Sequence, residues 1–222
     1  MQPVYLRKGV EVTLTVWGRP EAVNVQKVLW CAEELGLDYT RIDVGGRFGG
    51  LDTPDFLAMN PWGRIPVIRH NDFTLWESNA CLRYLCRTFK QGPFANLTDH
   101  AFAQADQWVD WLSTTLYYSA FRQYYLYQIR IPSAEKDASK LAAFREEALI
   151  PLRFLNEQLA KRSYVVSEQF SMADLLAGVY VDRWMRLDAE ASSLTHIARY
   201  FERLSQREPY KKTILAFEVK PA

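Results

Sequence analysis

Between residues 12 and 90 the spacing of apolar positions switches repeatedly between period two and helical period, which predicts a small α/β unit. Val12 to Trp17 (VTLTVW) is β-branched and aromatic and reads as a strand. From Val23 to Leu35 the apolar positions Val25, Val28, Leu29, Ala32 and Leu35 keep helical spacing, and Gly36 supplies a C-terminal stop. Tyr39 to Val44 reads as a second strand. A helix separates the two strands, so a parallel βαβ pair is expected. Gly45 to Gly50 breaks the pattern, and Thr53-Pro54-Asp55 then has the order of an N-cap, a first-position proline and a first-turn acid, opening a short helix to about Met59. Pro66 to Arg69 and Phe73 to Trp76 read as strands joined by Asn71-Asp72, which is hairpin chemistry. Ser78 can cap a helix through Phe89, with Cys81, Leu82 and Leu85 turned inward. The order β-α-β-α-β-β-α is a thioredoxin-like layout with a mixed four-stranded sheet.

After Gln91-Gly92-Pro93 the strand signals nearly vanish. Asp99 to Ile129 keeps helical spacing through Ala105, Trp108, Val109, Leu112 and Leu116, and Pro132 ends it. Lys136 to Ala160 predicts a second helix, with a kink expected at Pro151. Ser171-Met172-Ala173-Asp174 is a capping box opening a third, to about Leu187, and Leu194 to Arg207 gives a fourth. The expected architecture is an α/β thioredoxin-like domain at 12–90 followed by an all-helical domain at 98–222.

The bulk numbers narrow the function classes. The 222 residues suffice for two small cores, and 27 Lys and Arg against 26 Asp and Glu leave a net charge of +1. No basic field argues for nucleic acid, and no apolar run reaches the roughly 18 residues of a membrane span. Met1 to Glu11 lacks the apolar segment of a secretion signal and reads as a loosely attached extension. Three cysteines (Cys31, Cys81, Cys86) form no CxxC and no metal-ligand spacing, so no metal is expected and the cytoplasm is the expected compartment.

Two short segments carry chemistry. A proline opening the third strand of a thioredoxin-like sheet, as in Arg64-Ile65-Pro66, is where that fold uses a cis peptide, which turns the preceding backbone N–H and C=O toward an extended ligand. Taken alone, Pro66 reads equally as a strand-edge proline. Leu75-Trp76-Glu77-Ser78-Asn79-Ala80 sets a carboxylate and a hydroxyl at a helix start. The helix N-terminus suits a bound carboxylate and Glu77 suits an ammonium, and together these are an amino-acid zwitterion. The plainer role for Ser78 is an N-cap.

With Asn60-Pro61-Trp62-Gly63-Arg64-Ile65-Pro66-Val67-Ile68, Trp76-Glu77-Ser78-Asn79-Ala80 and Ser171-Met172-Ala173-Asp174 in this order and spacing, nearly the whole chain resembles the glutathione-transferase family, in particular its bacterial nu-type and theta-like members. The resemblance implies that Glu77 and Ser78 hold the γ-glutamyl zwitterion of glutathione, that the Ile65 backbone beside Pro66 pairs with the cysteinyl unit, and that Arg64 or Arg47 reaches the glycyl carboxylate. Either arginine also reads as a solvated surface charge. The resemblance further implies a homodimer, and it makes Ser171 and Asp174 a folding element.

Family members place a Tyr, Ser or Cys after the first strand to face the glutathione sulfur. Here Trp17 to Lys27 contains none, and the serine position falls on Ala22. Asn24 is the best replacement, because its amide can donate a hydrogen bond to the thiolate; its alternative role is an N-cap or turn residue. Lowering a thiol pKa from about 8.5 to about 7 needs about 2 kcal/mol. A hydrogen bond to a charged acceptor gives about 1.5–3 kcal/mol, and the helix N-terminus adds about 0.3–1 kcal/mol. Cys31 reads as core, and Cys81 and Cys86 as inert. The family's acceptor pocket maps to Trp111, Thr115, Tyr118, Arg122 and Tyr125 on the first long helix, although core or dimer interface is the plainer role for many of its aromatics. The expected activity is conjugation of glutathione to a hydrophobic or aromatic electrophile. A glutathione-dependent disulfide reductase or peroxidase is the alternative, and a non-catalytic glutathione-binding scaffold the second.

Overall fold

A computed structural model describes residues 13–188 and 190–218, so the extension expected at residues 1–11 lies outside the described residues. Strands β1 (Leu14–Trp17), β2 (Tyr39–Ile42), β3 (Val67–His70) and β4 (Phe73–Trp76) form one sheet in the order β2-β1-β3-β4. β1 pairs with β2 in parallel, and β1–β3 and β3–β4 are antiparallel. The β3–β4 turn uses Asn71 at φ 52°, a conformation asparagine tolerates. Helices α1 (Val23–Glu34), α2 (Pro54–Met59) and α3 (Ser78–Phe89) complete this unit. Thr53 caps α2 through a hydrogen bond from Phe56 N–H.

The helical unit opens with α4 (Asp99–Trp111), which runs without a break through a wide, π-type stretch at Leu112–Tyr125 into α5 (Leu126–Arg130). Within the wide stretch, Ser113, Thr114 and Ser119 hydroxyls donate to the carbonyls four residues back, the acceptors that their own N–H groups would use in an α-helix. Helix α6 (Ala138–Leu159) passes through Pro151, and α7 (Met172–Leu187), α8 (Thr195–Ser205) and α9 (Glu208–Tyr210) follow. Among the described residues, no helix is long and apolar enough to cross a membrane.

The two units share one core. Every residue of α1 from Val25 to Ala32 is buried, because α3 covers one side and α7 the other. Trp30 inserts toward the helical unit, its ring 4.7 Å from Tyr210 and 5.5 Å from Phe170, and its Nε1 donates to Glu34. Arg207 clamps the other face of Glu34 with two bonds of 2.5 and 2.6 Å. Gly178 on α7 makes this approach possible, since a β-carbon there would lie 2.7 Å from the Trp30 ring and 2.8 Å from Leu204. Gly178→Ala is therefore expected to destabilise the protein by about 1–3 kcal/mol, although alanine is the better helix former. The urea midpoint measures this, and an unchanged or higher midpoint would refute the contact.

Candidate functional site

Asn24, Asn60, Trp62, Arg64, Ile65, Pro66, Glu77 and Ser78 line one cleft of about 230 Å³ between the N-terminal ends of α1 and α3 and the turn before β3. Its floor is built by Asn60, which is 1% exposed. The Asn60 amide donates to Arg64 C=O at 2.7 Å, and its Oδ1 accepts from Trp62 N–H at 3.0 Å. These bonds fix the turn that delivers Ile65 and Pro66, whose peptide bond is cis. Asn60 and Trp62 escaped the site reading, although both stand in the Asn60–Ile68 stretch that pointed to it.

The opposite wall is the start of α3, where the expectation needs one correction. Glu77, not Ser78, occupies the N-cap, and it does so at φ 68° without a side-chain cap bond. A left-handed backbone at a residue carrying a β-carbon costs of order 1–3 kcal/mol. It persists at an exposed carboxylate that lines a cleft, and strain of this kind concentrates at ligand sites. Ser78 follows as the first helical residue and is 6% exposed.

At the start of α1 the N-cap is Ala22, so Asn24 is not a cap. It is the second residue of the helix, exposed, and lines the cleft near the helix's unpaired N–H groups. Arg64 is exposed on the cleft rim, and no ion pair of Arg64 is found among the described residues. Arg47 is not brought to the cleft: its guanidinium lies 3.5 Å from Glu21 and stacks over Phe48, and its side chain is 70% exposed.

The expected acceptor face is also redistributed. Trp111 packs 5.4 Å from Trp108 and 5.1 Å from Phe154 of α6, and Tyr125 is buried, stacked 4.6 Å from Phe121. Both are therefore packing residues. Thr115, Tyr118 and Arg122 are exposed, and none lines the cleft. Three-and-four spacing marks one face only while i+4 bonds hold, and this segment winds with i+5 bonds.

All three cysteines are free and buried. Cys31 and Cys86 lie 3.8 Å apart through sulfur. Burial pushes the Cys31 thiol well up and the Cys81 thiol up to about 12, so neither offers a thiolate at neutral pH. Among the described residues, no group of His, Cys, Asp or Glu could hold a metal ion.

The sequence matches the family model described as glutathione S-transferase, N-terminal domain, over residues 23–88, and that described as glutathione S-transferase, C-terminal domain, over 116–208. It is 31% identical to glutathione S-transferase GstB of Escherichia coli over 204 residues, covering 91% of this chain and 98% of that one. It is 27% identical to glutathione S-transferase 3 of Zea mays over 214 residues, covering 94% and 96%. Among solved structures, a theta class glutathione S-transferase from Xanthomonas axonopodis pv. citri with glutathione bound superposes with a TM-score of 0.84 at 35% identity, covering 91% of this chain and 97% of that one.

Proposed function

The chain belongs to the glutathione S-transferase family, and from that premise we propose that it binds glutathione in the cleft and adds its sulfur to a hydrophobic or aromatic electrophile. The observation that carries the reading is the convergence of three separate stretches of the chain, Asn24, Arg64-Ile65-Pro66 and Glu77-Ser78, on one cleft. Glu77 takes the γ-glutamyl ammonium. Ser78 and the N–H groups of the α3 start take its carboxylate. The cysteinyl unit lies along the Ile65 backbone beside Pro66, and Arg64 takes the glycyl carboxylate; Arg47, held by Glu21, leaves that role.

The sulfur then faces the start of α1, where Asn24 donates its amide hydrogen bond to the thiolate. The thiolate attacks the electrophilic carbon, the new C–S bond forms, and the leaving group departs with the bond's electron pair. Positioning and thiolate stabilisation supply the acceleration. The exposed Thr115, Tyr118 and Arg122 stay as the proposed acceptor contacts, with Trp111 removed from the set. A cytoplasmic homodimer completes this reading.

A second reading, a glutathione-dependent disulfide reductase, is favoured by one feature. Among the described residues the lining holds no Tyr, no Cys and no hydroxyl other than Ser78, so glutathione thiols would perform the exchange themselves. Parallel assays with a chloronitrobenzene acceptor and a hydroxyethyl mixed disulfide separate the two readings. Turnover of the aromatic chloride supports conjugation, activity with the disulfide alone overturns it, and silence in both leaves a binding protein. Asn24→Ala is expected to raise the pKa of the bound thiol toward 8.5 and to lower kcat/KM about tenfold at pH 7. Thiolate absorbance across pH reads the first effect, and an unchanged titration would remove Asn24 from the sulfur.

A further inference from the structure

A buried lysine stands directly behind one wall of the cleft. Lys27 is on α1, only 2% exposed, beneath the α3 start. Its Nζ donates to Asn79 Oδ1 at 2.9 Å, the Asn79 amide donates to Ser113 Oγ at 2.7 Å, and the Ser113 hydroxyl donates to Val109 C=O at 2.6 Å. This chain of bonds runs from α1 through α3 to the long helix of the second unit. Asn79 directly follows Ser78, so Lys27 is attached to the segment that presents Glu77 and Ser78 to the cleft. An ammonium carries three donors, and among the described residues Asn79 is the one hydrogen-bond acceptor found for Lys27.

We propose that Lys27 is a positioning residue of the glutathione site, whose amine takes up a proton when the γ-glutamyl carboxylate docks at the start of α3. This rests on the glutathione reading above and adds to it a pH-sensitive element behind the ligand wall. Burial lowers the Lys27 pKa from its ordinary value to about 7, partly opposed by the negative charge of Glu77. The other groups facing it are Cys81 on α3 and Tyr180 on α7, whose ring centroid is 6.0 Å from Nζ. Burial pushes Cys81 up to about 12 and Tyr180 above its ordinary value, so both keep their protons through neutrality. Lys27 is then the group of this cluster whose charge changes near pH 7. A carboxylate arriving beside Asn79 favours the ammonium and so raises the amine's pKa. By linkage, the ligand binds more tightly where the amine is already charged, and affinity falls as pH rises through about 7 and beyond.

The test titrates the full-length protein with S-methylglutathione, whose sulfur carries no titrating proton, between pH 6 and 8.5. The expected result is a Kd that rises on the order of tenfold across this range. Calorimetry near pH 7.5 in buffers of different ionisation enthalpy should also show a fractional proton taken up on binding. Lys27→Met, which keeps the buried volume without the charge, should bind with a shallower pH profile and less proton uptake than wild type, keeping only the share that comes from the ligand's own amine toward pH 8.5. A wild-type Kd that is finite but flat with pH, or a Lys27→Met profile equal to wild type, overturns the proposal while leaving the glutathione reading intact. No binding by wild type at any pH overturns both. The wild-type profile and proton uptake need no variant, so a misfolded Lys27→Met still leaves the idea refutable.

Discussion

Asp174→Ala is expected to cost about 3–5 kcal/mol of folding stability, a large share of the roughly 5–15 kcal/mol that holds a native protein together. Asp174 is fully buried at the start of α7, and its two oxygens collect four donors. Oδ2 accepts from Ser171 N–H at 2.7 Å and Ser171 Oγ at 2.8 Å, and Oδ1 accepts from Val165 N–H at 2.9 Å and Tyr200 Oη at 2.9 Å. Burial pushes the carboxyl pKa up while these four bonds oppose it. Alanine would orphan the two buried or half-buried N–H groups and the Tyr200 hydroxyl, each worth about 1–3 kcal/mol when unpaired. The loss also strikes the junction of α7, α8 and the loop before α7, so it is global. Asp174→Asn keeps Oδ1 for Val165 and Tyr200 but turns an amide donor on Ser171, and an intermediate loss is expected. Urea unfolding followed by far-UV circular dichroism reads both; an alanine variant within about 1 kcal/mol of wild type would show that the network carries no stability.

The sheet was legible because its signals are local. β-branched runs, the Thr53-Pro54-Asp55 cap and the Asn71-Asp72 turn each satisfy backbone needs within a few residues, and they recur in the structure with β2 ending at Ile42 rather than Val44. The cleft was legible because its two walls are contiguous motifs. What escaped depends on contacts between distant segments. In α1 the spacing of Val25, Val28, Leu29 and Ala32 leaves Lys27 on the face that a half-buried helix would turn to water. Because α3 and α7 close over both sides, that face is interior and the amine is trapped. Glu77 gave no sign of its φ of 68°, since glycine or asparagine ordinarily marks such a position. The acceptor face was drawn with an ordinary helical repeat, which the wide winding of Leu112–Tyr125 does not keep.

The second large effect is on ligand affinity. Glu77→Gln combined with Ser78→Ala should raise the Kd for glutathione by two to three orders of magnitude. Two charge-assisted hydrogen bonds to the γ-glutamyl zwitterion, each about 1.5–3 kcal/mol, are removed together. Glu77 is exposed and makes no side-chain cap bond, and Ser78 contributes no side-chain hydrogen bond to the fold among the described residues. Stability should therefore change little, which separates lost binding from lost structure. Either single change should give part of the loss, with Glu77→Gln sparing the carboxylate contacts at the α3 N-terminus and Ser78→Ala sparing the ammonium contact.

Isothermal titration calorimetry of glutathione into the wild-type protein and into this double variant, with the unfolding midpoint of each measured alongside, tests the central claim most directly. The expected result is one saturating site per chain in the wild type, weakened at least a hundredfold in a variant that unfolds at the wild-type midpoint. Absence of saturable heat in the wild type, or a variant that binds as tightly as wild type, would contradict a glutathione site at Ile65-Pro66 and the start of α3.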